Sequence, residues 1–117
     1  MHQMKLNPEP FLKIEDGTKT IELRLNDEKR RLIKVGDYIE FTNVANSEKK
    51  IQVKVVNLHH FRSFKELYNV LALNKCGYST QELNTATHTD MEKYYTKEEQ
   101  SKYGVLGIEI VLAESKS

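Results

Sequence analysis

A chain of 117 residues is long enough to bury one hydrophobic core without disulfide or metal staples, so a single domain over residues 1–117 is expected. Its 18 Lys and Arg against 17 Asp and Glu leave a net charge of +1, which excludes whole-chain polyelectrolyte attraction as a basis for nucleic-acid binding. One cysteine, Cys76, excludes an internal disulfide, and no apolar run approaches the length of a membrane span.

No charged-then-apolar leader opens the chain, so a reducing cytoplasm is the expected location, with no membrane partner and a monomer as the default state. His2 to Leu6 reads as a short strand with Met4 and Leu6 on one face. Asn7 then offers an N-cap, Pro8 a first helical residue whose missing N–H costs nothing, and Glu9 a favourable charge at the positive helix end. Phe11, Leu12 and Ile14 form the buried stripe of this short helix, and Gly17 ends it.

From about Lys19 to Leu25 the side chains alternate. Ile21, Leu23 and Leu25 fall on one face of an extended chain, and Thr20, Glu22 and Arg24 on the other. Asn26-Asp27-Glu28 starts a turn or one helical turn that points Lys29, Arg30 and Arg31 outward and returns Leu32 and Ile33 to the core. Val35-Gly36-Asp37 predicts a tight turn with a positive φ at the glycine.

Tyr38–Thr42 alternates again with Ile39 and Phe41 inward, a polar hairpin loop covers Asn43–Glu48, and Lys50–Leu58 is the longest β-rich run. Its phase changes at Val56 and Leu58, which signals either a bulge or both faces becoming covered there. His59–Arg62 reads as a loop into a second helix, capped by Ser63 with Glu66 three residues on and striped by Phe64, Leu67, Tyr68 and Leu71. Gly77 closes that segment, and 79–95 reads as a short helix and an irregular stretch.

Thr96 and Glu99 form a second capping box for a helix ending near Tyr103. Val105–Leu112 is the last strand, with Leu106, Ile108, Ile110 and Leu112 on the core face, and 114–117 a frayed tail. Five β-runs with two or three short helices, and too little βα alternation for a doubly wound sheet, indicate an α+β mixed or closed antiparallel barrel.

The candidate chemistry lies on the polar face of the 19–25 run and at its mouth, where Lys19 sits just after the turn. Lys19 and Arg24 supply cationic donors and Glu22 an acceptor, beside a glycine turn. The plain alternative is an exposed cross-strand Glu22–Arg24 pair worth about 0.2–1 kcal/mol. Lys29, Arg30, Arg31 and Lys34 cluster in a basic run that is either a phosphate-facing patch or ordinary solvated surface. His59 and His60 are adjacent, so they point to opposite faces if extended. With Cys76 alone, no metal-ligand spacing exists, and neither a metal nor a cofactor is expected.

Pro10-Phe11, Ile14, Gly17-x-Lys19-Thr20-Ile21-Glu22-x-Arg24, Gly36-Asp37-x-Ile39-x-Phe41 and Tyr103-Gly104-Val105-Leu106-Gly107-Ile108-Glu109 together resemble the ASCH (activating signal cointegrator homology) domain family of the PUA-like superfamily. The resemblance spans nearly the whole chain; residues 60–100 contribute little to it. It implies a barrel of about five or six strands flanked by helices, with a lateral cleft that binds RNA or a nucleotide-like ligand and has Lys19, Glu22 and Arg24 on its floor.

A small branch of the family resembles amidohydrolases that deacetylate N4-acetylcytidine, using a lysine that matches Lys19, a threonine where Glu22 stands here, and a later glutamate for which Glu66 is the candidate by region. Three functions follow. A binding module would use Lys19, Thr20, Glu22, Arg24, Lys29, Arg30, Arg31 and Tyr103, with stacking aromatics drawn from Tyr38, Phe61, Tyr94, Tyr95 or Tyr103. A metal-independent amidohydrolase would use Lys19 as base or nucleophile and Glu22 as proton carrier. A ribonuclease built on Lys19 and Glu22, assisted by Tyr103, ranks below both.

Overall fold

The computed structural model describes residues 1–113, and the tail assigned to 114–117 lies outside them. Its five strands are β1 (His2–Leu6), β2 (Ile21–Leu25), β3 (Tyr38–Asn43), β4 (Asn46–Phe61) and β5 (Val105–Leu112). They form one sheet in the spatial order β1–β3–β4–β5–β2. Strand β1 runs parallel to β3, and every other neighbouring pair is antiparallel. The sheet curls into a half-barrel, so the architecture is the α+β, PUA-like one that the sequence indicates.

Helices α1 (Pro8–Glu15), α2 (Phe64–Val70) and α3 (Lys97–Tyr103) pack around the sheet. Two apolar clusters result. One fills the concave side with Met4, Leu6, Phe11, Ile14, Ile39, Phe41, Val53, Val55, Leu106, Ile108 and Ile110. The other packs Ile21, Leu23, Leu25 and Val105 against Phe64 and Leu67 of α2. Strand β2 is therefore covered on both faces, because Glu22 and Arg24 pair with Ile108 and Leu106 of the concave side.

The alternation in β1 and β3, the buried set Ile21, Leu23 and Leu25 of β2, the positive φ of Gly36 (95°) and the register shift between Val55 and Asn57 all match the sequence pattern. Thr96 and Glu99 form the full reciprocal capping box of α3. Other expectations need correction. Leu12 is exposed, because an eight-residue helix lays only the Phe11/Ile14 edge on the sheet. Leu32 is exposed because residues Arg30–Leu32 form a 3-10 turn that carries only Ile33 inward, and Leu112 is exposed at the strand's end.

The expected hairpin loop shrinks to Val44–Ala45, with Asn43 Oδ1 accepting the Ala45 N–H at 2.9 Å. At its other end β4 continues through His59 and His60 to Phe61, since β5 is long enough to keep pairing with it as far as Val105. Ser63 caps α2 by accepting the Glu66 N–H, but the Glu66 carboxylate bonds to Arg62 instead of closing the box. Within 79–95, where a short helix and an irregular stretch are expected, the helical part is two 3-10 turns, Glu82–Asn84 and His88–Met91. Among the described residues no helix is long and apolar enough to cross a membrane.

Candidate nucleotide cleft

Backbone hydrogen bonds fix the approach to β2. The Lys19 N–H donates to Lys13 O, the Thr20 N–H to Lys75 O, and the Ile110 N–H to Thr20 O, each at 2.9 Å. Gly77, at φ 106°, passes so close that a Cβ would lie 3.1 Å from Lys19 Cδ, so the lysine stem lies along a bare stretch of backbone. Its ammonium then sits 2.7 Å from Glu22 Oε1. Residue 24 shares the face of residue 22, and Arg24 Nε donates to Glu22 Oε2 at 2.7 Å. The guanidinium reaches on to the Lys5 carbonyl at 2.8 Å, bridging the two edge strands of the half-barrel.

The Glu22–Arg24 pair thus exists, but it is not the exposed surface pair of the plain alternative. Glu22 is only 4% exposed. Burial alone would push its carboxyl pKa up; the charges of Lys19 and Arg24 and hydrogen bonds from both outweigh that and hold it below the ordinary value. Each carboxylate oxygen keeps a lone pair beyond its bond to a cation, and Lys19 keeps further N–H donors. Donors and an acceptor therefore stand side by side.

Over this triad opens a cleft of about 410 Å³, the size range of small-ligand sites. Four tyrosines line it: Tyr68, Tyr78, Tyr94 and Tyr95. Tyr78 OH donates to Asp90 Oδ2 at 2.8 Å and so accepts from Tyr68 OH at 2.7 Å, a chain that fixes both rings. Burial pushes the Tyr68 hydroxyl up to about 12. Tyr95 stacks on Phe64 with ring centroids 5.8 Å apart. Lys13 ties α1 to the far rim by donating to Gly77 O at 2.6 Å. Cys76 also lines the cleft, but burial pushes its thiol up to about 11, which keeps the nucleophilic thiolate scarce at neutral pH.

Lys19, Glu22 and Arg24 come together at the cleft; the other candidates divide. Thr20 contributes its backbone and is not part of the cleft lining. Lys29 and Arg30 line a second hollow that shares Lys5 and Arg24 with the first. Arg31 turns away, donating to Asn26 O at 2.9 Å and lying over the Tyr103 ring, which packs beside the α2 cluster. Tyr38 is exposed on β3, Phe61 packs against the second core, and Glu66 pairs with Arg62 outside the cleft.

Sequence reasoning missed Lys13, Tyr68 and Tyr78. Tyr68 was legible only as a helix-stripe residue, and Tyr78 had no signal beyond following Gly77. Among the described residues no group of His, Cys, Asp or Glu could hold a metal ion.

The model of the ASCH domain matches residues 4–114. The chain belongs to the ASCH domain family. Domains of this family are generally thought to bind RNA. The hypothetical protein PH0355, known from a crystal structure, is 34% identical, with a TM-score of 0.77 over 95% of this chain and 97% of its own. Protein PF0455 from Pyrococcus furiosus, solved in solution, is also 34% identical, with a TM-score of 0.70 over 97% and 98%. An ASCH protein from Zymomonas mobilis shares the fold at 15% identity and a TM-score of 0.64, over 96% of this chain and 66% of that one. None of the curated proteins matches the chain at a significant level.

Proposed function

We propose that this ASCH domain binds single-stranded or looped RNA by taking one unpaired nucleotide into the tyrosine-walled cleft. The observation that carries the reading is the buried Glu22 carboxylate held between Lys19 and Arg24 at a cleft with four tyrosines. A base entering there meets a carboxylate that accepts from an exocyclic amine and cations that donate to ring nitrogens or carbonyls. Aromatic walls offer faces on which any base can stack. A paired base has neither its face nor its Watson–Crick edge free, so duplex RNA is excluded.

Two features favour binding over hydrolysis. The Lys19 amine is engaged by Glu22 rather than facing the cleft unpaired. Glu22, with its pKa held down, is a poor proton donor to a leaving amine near neutral pH.

Fluorescence anisotropy with labelled single-stranded and duplex RNA tests the reading. Single strands should bind and duplexes should not, with affinity falling as salt rises. Tyr94→Ala should weaken binding by roughly 5- to 150-fold, the equivalent of about 1–3 kcal/mol for one base–aromatic stack. Equal affinity for duplex, or an unchanged affinity in Tyr94→Ala and Lys19→Gln, would remove the cleft from the account. Release of acetate from N4-acetylcytidine that disappears in Lys19→Ala would replace binding by amidohydrolase action.

A further inference from the structure

The second hollow has about the same volume as the first, 390 Å³, and a different chemistry. Its lining includes Lys5, Arg24, Lys29 and Arg30, with Gln3 and Thr42 as neutral polar partners and no carboxylate. The charges are only partly met from within the protein. Arg24 is held by Glu22, and Arg30 Nη1 donates to Asp27 Oδ2 at 3.0 Å. Lys5 and Lys29 take part in no ion pair among the described residues. Arg30 Nε, buried, has no hydrogen-bond acceptor. A buried donor without a partner costs about 1–3 kcal/mol, and the charged side chains that line the hollow are all cationic.

We infer that this hollow is an oxyanion site for a phosphate group, placed across the β1–β2 seam from the base cleft and joined to it through Arg24 and Lys5. The inference deepens the RNA-binding reading and rests on it for the base, but not for the phosphate. Guanidinium and ammonium groups match phosphate oxygens in charge and donor geometry, and a carboxylate-free lining admits a dianion without repulsion. Arg24 is common to both hollows, so one side chain orients the base-reading carboxylate and faces the phosphate. This divides the basic run: Lys29 and Arg30 serve the ligand, whereas Arg31 is committed to Asn26 and Tyr103.

Phosphorus-31 NMR of inorganic phosphate, at constant ionic strength in chloride, tests the site without any base. Wild type should broaden and shift the phosphate line saturably. The double variant Lys5→Gln/Lys29→Gln should abolish this; both side chains are exposed, so the fold should persist, as amide spectra will verify. An unshifted line with wild type, or equal shifts with the variant, overturns the inference.

A second arm measures displacement of labelled single-stranded RNA by cytidine, cytidine monophosphate and a cytidine-containing dinucleotide. The monophosphate should compete at least about tenfold better than the nucleoside, falling towards parity in the double variant. A dinucleotide as strong as the monophosphate assigns the hollow to a strand phosphodiester, and a weaker one to a free nucleotide's monoester; both support an oxyanion site. Competition by nucleoside with no gain from phosphate overturns the hollow and leaves the base cleft. A phosphate line that responds without competition by nucleoside leaves the hollow and removes the base reading.

Discussion

Replacing Glu22 by Gln keeps the side chain's size and removes its charge. Lys19 and Arg24 then face each other at the cleft floor with one neutral oxygen to share, where each now has a carboxylate oxygen at 2.7 Å. Removing one partner of a buried pair costs about 3–5 kcal/mol, because the remaining charge is left uncompensated. For a chain of 117 residues the unfolding entropy makes 1 kcal/mol worth about 4 °C, so Tm should fall by about 12–20 °C.

The pH dependence gives the sharper check. The folded pKa of Glu22 lies below its ordinary value of 4.5, so its contribution is fully present above that value. It is lost as pH falls through the folded pKa, where wild type itself acquires a neutral carboxyl. Calorimetry should therefore show a wide gap in Tm between wild type and Glu22→Gln at pH 7 that narrows on acidification. Equal Tm values at pH 7, or a gap that persists undiminished in acid, would refute the buried-triad reasoning.

Thr96→Ala removes the hydroxyl that accepts the Glu99 N–H and should cost about 1 kcal/mol, or about 4 °C in Tm by thermal melt. Gly107→Ala places a Cβ 2.9 Å from Leu71 Cδ1, with Ile21 and His59 also close, and should destabilise by about 1–3 kcal/mol in urea titration. Tyr78→Phe deletes the link between Tyr68 and Asp90. Amide exchange at residues 87–91 should quicken while β3 and β4 stay protected; unchanged exchange at that rim would deny the link any ordering role.

The strands of this fold were legible because each announces itself by alternation: Met4/Leu6, Ile21/Leu23/Leu25, Ile39/Phe41 and Leu106/Ile108/Ile110 all reach the core as their spacing requires. The shared face of Glu22 and Arg24 was legible through strand periodicity; Lys19, out of phase with them, was legible as their neighbour only through the family motif. What alternation could not reveal is that β2 has a covered second face. Burial there depends on the curl of the sheet, which is a product of long-range contacts.

Hidden for the same reason was the role of residues 68–95. Tyr68 and Tyr78 meet Asp90 through a fold-specific path across short 3-10 turns, for which no sequence period exists. Arg30 and Arg31 are adjacent in sequence yet diverge, one to Asp27 and the second hollow, the other to Tyr103, because a 3-10 turn rotates successive side chains by about 120°.

The most direct test is amide chemical-shift mapping during titration with a short single-stranded oligoribonucleotide. The largest changes should fall at Lys19–Arg24, Gly77–Tyr78 and Tyr94–Tyr95, around the cleft where the Lys19–Glu22–Arg24 triad meets four tyrosines. Changes confined to the outer sheet face at Tyr38, Lys54 and Val111, with the cleft amides unmoved, would contradict it.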